Sequence, residues 1–206
     1  MKNMKIGAVF FLAALTLWLV QLSGRDQALA GRIRENVLRF HVIGDSNRRE
    51  DQELKLQVRS LLLKEIEKGT DGQASSKEAL TSYINLHKSE LEKAADDFIH
   101  SRGFDYASSI EVGVSHFPTK SYGDMLFPAG DYDAVRVILG TGKGRNWWCV
   151  LYPSLCFVSD TAAVVPDSSK AQLAGMLAEE DYSSLFASHP DIQISFRLSE
   201  WWNSTF

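Results

Sequence analysis

The first part of the hydrophobic pattern predicts one strand followed by two helices. Apolar residues alternate with other side chains over residues 37–43, which is the period of a β-strand. Residues 48–69 carry apolar side chains at three- and four-residue spacing, so we expect an amphipathic helix, with Asn47 and Glu50 forming a capping box at its start. The same spacing predicts a second helix over 76–102.

The later part of the pattern predicts mainly strands. Alternation indicates strands over 110–117, 132–139, 147–151 and 192–198, and a short helix is expected over 170–177. The glycine-rich stretch 140–145 joins two of these strands. We interpret it as a hairpin connection with glycines at positive φ, because a phosphate-binding loop would be followed by a helix and this one is not.

The order of these elements predicts an α+β fold. Two amphipathic helices are expected to pack on a mainly antiparallel sheet, preceded by an N-terminal signal or anchor segment. We expect a single domain over 37–206, with its signature region at 117–160, after a polar linker at 31–36. A chain of 206 residues can bury a sizeable core without help from a metal.

Residues 1–30 have the composition of an export signal or a membrane anchor. Two lysines precede an uncharged run over 6–22, and Ala28-Leu29-Ala30 offers a small-residue cleavage motif. The run is long for a signal and short for an anchor, so cleavage and retention both stay open. We expect membrane contact only through residues 6–22 if the segment is kept, and a folded part that acts outside the cytoplasm.

Net charge and cysteine content narrow the classes of partner. The formal charge of −4 and the lack of a Lys/Arg cluster argue against nucleic acid, which is bound by neutralising phosphates. No motif calls for a metal or a cofactor, and we expect neither. In an exported domain, Cys149 and Cys156 can form a disulfide, or they can be two small buried apolar residues; both readings stay open.

A hydrolytic site would need a nucleophile, a base and an orienting acid. Residues of these types are Cys149 or Cys156, His116 or His41, and Asp131, Asp133 or Asp160. Nothing in their spacing selects a catalytic arrangement, and His87 on the apolar face of a predicted helix is explained as a core histidine. We expect no enzyme and no catalytic residue, and keep an exported cysteine hydrolase acting on cell wall or peptide as the alternative.

Glycine, proline and aromatic residues concentrate in the signature region 117–160. Large aromatic side chains dominate binding hot spots because they bury much area at low conformational cost. The candidate partner-binding residues are Phe117, Pro118, Lys120, Tyr122, Gly123, Pro128, Gly130, Trp147 and Trp148. Neighbouring residues on a strand point to opposite faces, so we expect one of the two tryptophans inside and the other outside.

Several uncommon sequence combinations occur in a fixed order. They are LRFHVIGDSNRREDQELKLQVRSLLL at 38–63, FPTKSYG at 117–123, PAG at 128–130, Arg136-Val137, and GRNWWCVLYPSLCF at 144–157. Over 33–160 the chain thereby resembles the stage II sporulation protein R family. It departs from that family at 44–47, where an Ala-Asn-Ser-Asp type of turn is usual, and at 152–154, where a double proline is common.

This resemblance implies a signalling protein of endospore-forming bacteria, made in the forespore and exported into the space between the forespore and mother-cell membranes. It also implies a partner, the membrane-embedded aspartic protease stage II sporulation protein GA. The protein would activate that protease so that the precursor of sigma factor E is processed in the mother cell. In that role the chain would be a ligand and not the protease.

Overall fold

The computed structural model describes residues 13–18, 24, 26–70, 74–156 and 165–186. The strand predicted over 192–198 and most of the uncharged run 6–22 lie outside these residues. Within the described ranges, no helix is both long enough and apolar enough to cross a membrane.

The chain forms an α+β fold whose sheet is mixed and mainly antiparallel. The strands are β1 (Leu38–Ile43), β2 (Ser108–Phe117), β3 (Lys120–Tyr122), β4 (Met125–Phe127), β5 (Gly130–Leu139) and β6 (Asn146–Tyr152). The helices are α1 (26–34), α2 (Arg49–Gly69), α3 (Lys77–Leu86), α4 (Lys88–Ser101), α5 (Asp167–Met176) and α6 (Glu179–Ser184). Four strands form the main sheet in the order β2-β5-β1-β6, and β3 pairs with β4 as a separate hairpin.

Helices α2, α3 and α4 cover one face of the main sheet, here called the helix-covered face. Leu54, Val58 and Leu62 lie four residues apart on α2 and are buried there, as the helical period predicts. They meet alternate residues of β1, among them Phe40 and Val42, in one mainly aliphatic core. This half of the fold follows directly from the hydrophobic pattern.

The second predicted helix is two helices, which corrects the expected count from two to three. The break falls at His87, whose φ of −100° and ψ of 14° are not helical. Each half then directs its own apolar residues into the core, Ile84 from α3 and Leu91 from α4 among them. His87 is only partly buried, and its Nδ1 lies 2.8 Å from Glu90 Oε2, so the core-histidine interpretation was wrong.

The predicted hairpin at 140–145 was also wrong, because β1 lies between β5 and β6. The connection crosses over the end of β1, where the Gly144 amide donates to the Gly44 carbonyl at 2.8 Å. The expected positive φ is present, at 55° for Gly140 and 62° for Gly142. The glycines therefore serve a tight crossover in which two stretches of backbone touch.

The same crossover replaces the predicted capping box of α2. The Asn47 side chain accepts the amide of Arg145 at 2.9 Å instead of an amide of its own helix. The N-cap residue is Arg48, which makes no side-chain cap bond. Asn47 thus ties the crossover to α2, a role that spacing within one helix could not show.

Residues 31–36 are part of the fold, in contrast to the predicted linker. Residues 26–34 are helical, and the side chains of Ala30 and Ile33 are fully buried. A Cβ placed on Gly130 would lie 2.4 Å from the Cβ of Ala30, so α1 packs directly against the start of β5. Arg34 adds an ion pair to Asp133 at 2.7 Å.

The second face of the main sheet is covered by α1, the β3–β4 hairpin and the segment 165–186, and is here called the hairpin-covered face. Its buried residues include Ile33 from α1, Met125 from β4 and Leu173 from α5. They form a second core, separated from the first by the sheet itself. The candidate partner-binding residues lie mostly on this side.

Candidate functional site

The nine candidate residues differ widely in exposure. Pro118 and Gly123 are exposed. The partly buried members are Lys120, Tyr122, Trp147 and Trp148, and the buried members are Phe117, Pro128 and Gly130. Only the first two groups offer surface to a partner, and the buried group can act only by holding that surface in place.

Arg39 of β1, which sequence reasoning did not select, organises the buried members. Its side chain is fully buried, and its guanidinium carbon lies 4.3 Å from the ring centroid of Phe117. Three further ring centroids, those of Tyr122, Phe127 and Tyr132, lie within 5.7 Å. These five residues are called the Arg39 cluster below. The available signal was a cation in a short strand whose other residues, apart from His41, are apolar.

The guanidinium has few polar partners. Nε donates to the Cys149 carbonyl at 3.3 Å, and Nη2 donates to the Tyr122 hydroxyl at 3.0 Å. Nη1 is buried without a hydrogen bond, and none of the described carboxylates pairs with this cation. Burying an unpaired charge costs several kcal/mol, which the ring faces offset in part by cation–π attraction. The arrangement therefore fixes the hairpin over β1 at some expense in stability.

The two tyrosines of the cluster remain protonated. Burial raises the pKa of Tyr122 and of Tyr132 above the ordinary range, and the charge of Arg39 opposes this shift only partly. The Tyr132 hydroxyl donates to the Pro128 carbonyl at 2.9 Å. A proton-transfer role is not suggested by this geometry; the hydroxyls position backbone and guanidinium.

His41, two residues further along β1, extends the cluster towards Trp148. The two rings stack at 4.6 Å with an interplanar angle of 5°, and Phe117 lies 5.2 Å from the imidazole. Burial, followed by the charge of Arg136, lowers the pKa of His41 to about 4. The side chain of Asn146 favours the charged form but does not compensate, and neither ring nitrogen has a hydrogen bond of ordinary geometry. His41 is therefore neutral at neutral pH.

The two tryptophans point to opposite faces, as predicted. Trp148 packs on the hairpin-covered face, and Trp147 packs on the helix-covered face beside Phe40, at 6.4 Å, and under Arg59, at 4.4 Å. Both are partly buried, so the expectation of one inside and one outside was wrong. Each face has its own cover, and a strand between two cores leaves neither side fully open.

The β3–β4 hairpin is held from outside as well. Its turn uses Gly123 at a φ of 59°. Lys170 of α5 pairs with Asp124 at 2.6 Å, and the Leu126 amide donates to the Leu185 carbonyl at 2.6 Å. The hairpin is thus clamped between Arg39 beneath it and the segment 165–186 above it.

Cys149 and Cys156 form a disulfide with an S–S distance of 1.95 Å. The chain has no other cysteine and therefore no free thiol. The Cys149 backbone carbonyl accepts from Arg39, but both cysteine side chains are buried in the core of the helix-covered face, so the bridge and the Arg39 cluster lie on opposite faces of the sheet. The pairing that the sequence left open is present in the structure.

The described residues include no group of three His, Cys, Asp or Glu side chains that could hold a metal ion. A cavity of about 610 Å³ between the end of α2, β6 and the start of α5 has one carboxylate in its lining, Glu67, and neither histidine nor cysteine. His116 pairs with Asp131 at 2.9 Å on the surface.

Fold and site together define a disulfide-bridged α+β domain with an aromatic cluster built around a buried cation on one sheet face. The model of the family described as stage II sporulation protein R matches residues 34–162. The stage II sporulation protein R of Bacillus subtilis strain 168 is 32% identical over 163 residues, which cover 77% of this chain and 72% of that protein. The chain belongs to the stage II sporulation protein R family, which confirms the resemblance noted in the sequence. No solved structure matches it.

Proposed function

We propose that this chain is an exported signalling ligand that activates the membrane-embedded aspartic protease stage II sporulation protein GA. Activation would lead to processing of the precursor of sigma factor E in the mother cell. The ligand would act in the space between the forespore and mother-cell membranes, either free or anchored by residues 6–22. The family match over 34–162 carries the proposal, because it spans the Arg39 cluster, both tryptophans and the disulfide.

The geometry suits a binding role. Pro118, Lys120 and Gly123 lie at the surface of a hairpin that is clamped on both sides. A surface that is already ordered loses little conformational entropy when a partner binds. The buried cation and its rings then contribute to recognition by holding these residues in place.

The alternative of a cysteine hydrolase lacks support. Its nucleophile would have to be a thiolate, and both cysteines are joined in the disulfide. The name of the Bacillus subtilis relative describes no enzymatic activity. We therefore infer a ligand rather than a cysteine hydrolase.

A charge reversal on the hairpin tests the proposal. The full chain and the protease in a bilayer would be mixed with the sigma factor precursor, and the rate of precursor cleavage measured. Lys120→Glu should lower that rate at least about tenfold, which corresponds to about 1.4 kcal/mol of binding free energy. The matched control is Lys93→Glu, the same change at an exposed position on α4, and it should leave the rate unchanged.

Thermal melting of each variant must accompany the assay, so that loss of folding is not mistaken for loss of contact. Full activation by both Lys120→Glu and Pro118→Ala would place the partner surface elsewhere on the domain. An inactive wild-type chain would overturn the proposed function itself.

A further inference from the structure

β2 is an edge strand whose outer side is covered over only half its length. It pairs with β5 from Ser108 to Phe117, and no described strand lies on its other side. At its start, the amide of Ser108 donates to Asp96 at 2.6 Å and the amide of Ile110 donates to Glu92 at 2.7 Å. Two carboxylates of α4 therefore occupy the first outward-facing donors.

No described residue pairs with the outward-facing backbone groups beyond Ile110. In an antiparallel pair, every second residue directs both its amide and its carbonyl away from the neighbouring strand. The amides of Ser108 and Ile110 show that the even-numbered residues are the outward-facing ones. The amides and carbonyls of Val112, Val114 and His116 therefore also point outward. They make no hydrogen bond to any described residue.

The side chains of this stretch do nothing to protect the edge. Val114 keeps 56% of its surface exposed. A Cβ on Gly113, on the opposite face of the strand, would meet no atom within 4 Å. Natural edge strands are usually shielded by lysine, proline, a bulge or a covering element, because open edges pair with other strands. Residues 112–116 contain no lysine, proline or bulge, and no element in the described part of the chain covers them, although α4 shields the residues just before them.

We propose that residues 112–116 of β2 accept an extended segment of the activated partner as an added β-strand. This inference rests on the proposed function and names the contact through which it would operate. A row of alternating backbone donors and acceptors is matched along its length by the backbone of another strand, which identifies the occupant as extended peptide. The segment would carry an apolar side chain beside Val114 and a larger one in the space over Gly113.

The position of this edge is consistent with the candidate residues. β2 ends at Phe117, a member of the Arg39 cluster, and exposed Pro118 follows directly. The carboxylates of Glu92 and Asp96 would stop the added strand before Ile110, which limits pairing to about five residues. The contact is short, as suits a reversible signal.

Proline at position 114 is the sharpest variant. The amide of Val114 points away from β5, so Val114→Pro removes a donor for the partner without removing a bond within the sheet. Val114→Lys places on the edge a residue type that natural proteins use against strand pairing. Val114→Thr keeps both the amide and the β-branched shape.

The test uses the full chain with the protease in a bilayer and measures precursor cleavage and amide exchange. Val114→Pro and Val114→Lys should each lower activation at least about tenfold while the melting temperature stays near that of the wild type, and Val114→Thr should lose no more than about threefold. In the wild-type chain, exchange at the amides of Val112, Val114 and His116 should slow when the protease is added.

Full activation by folded Val114→Pro and Val114→Lys, with unchanged exchange at these amides, would overturn this inference and leave the proposed function standing. A wild-type chain that fails to activate would remove both. A wild-type dimer that Val114→Pro converts to a monomer, seen by sedimentation, would show that the edge pairs with a second copy and would also overturn it.

Discussion

The helix-covered face of the main sheet buries mainly aliphatic side chains, together with Phe40 and the disulfide, whereas the hairpin-covered face buries a guanidinium and an imidazole among aromatic rings. Residues from the same strands supply both faces, since Phe40 points one way and Arg39 the other. The first face is stabilised by apolar area, at about 1.5–3 kcal/mol for each large side chain fully buried. The second face carries desolvation costs that only a specific geometry offsets.

This difference shows which face of the sheet tolerates substitution and which requires specific side chains. An aliphatic core tolerates many combinations of similar volume. A buried Arg39 with a single hydroxyl partner and four rings does not, because the planar guanidinium, the ring faces and the hairpin must all be placed together. The exposed candidate residues lie over this second face, where position is most tightly specified.

The largest expected effect tests whether the stability of the helix-covered core depends mainly on the side-chain volume that it buries. Leu62 is fully buried on α2, so Leu62→Ala should lower the free energy of unfolding by about 2–5 kcal/mol through lost transfer energy and a cavity. Leu62→Met keeps most of the volume and should cost less than about 1.5 kcal/mol. Denaturant titration of both variants measures this. Equal losses would show that this face is as shape-specific as the other.

The next effect tests the buried imidazole of the hairpin-covered face. The pKa of His41 falls from 6.5 to about 4 on folding. Between pH 6.5 and about pH 4 the unfolded chain therefore binds a proton at this imidazole that the folded chain does not bind. The contribution of His41 to the free energy of unfolding is therefore complete above pH 6.5. It declines by about 3 kcal/mol as the pH falls to about 4. His41→Phe, measured by urea unfolding at several pH values, should lose this part of the pH dependence.

The control for that experiment is His100→Gln, at an exposed position on α4. It should keep the pH dependence of the wild type, because this variant leaves the buried His41 side chain unchanged. If His41→Phe retains the full pH dependence, the imidazole is not the group that weakens the fold in acid.

The smallest effect tests the contact between α1 and the sheet. Gly130→Ala would force its Cβ against Ala30, at 2.4 Å in the unrelaxed geometry, and should cost about 1–3 kcal/mol. Ala30→Gly in the same chain should recover part of that loss, measured as a coupling in a double-mutant cycle. Absence of any coupling would mean that Ala30 is not at this contact in solution, as expected for a chain cleaved after Ala30.

The strands and helices were predictable where a single period governs the segment. β1, β2, β5 and β6 begin and end within two residues of the bounds expected from alternation. The break at His87 was not, because the apolar stripe continues through it and only packing against the sheet requires the turn. The short β3–β4 hairpin was missed because three-residue strands show too little alternation to detect.

The candidate site was predictable by residue type but not by arrangement. Aromatic, glycine and proline density selected Phe117, Tyr122 and Trp148, which the structure does bring to one face. It did not select Arg39, since a charged residue in a strand looks the same whether its face is open or covered, and His41 was considered only as a base for the hydrolase alternative. Burial of that face is decided by segments more than 80 residues away along the chain, as the Arg39–Tyr122 bond shows.

The sequence by itself determined the α+β class, the family and the mainly aliphatic core, because hydrophobic periodicity and short sequence motifs are properties of residues close together in the chain. Tertiary structure alone decided that β1 would lie between β5 and β6, that a cation would be enclosed by four rings, and that no described residue would pair with half of one edge strand. These outcomes depend on which distant segments come into contact, and the free energy of such a contact depends on both segments, so neither segment alone predicts it.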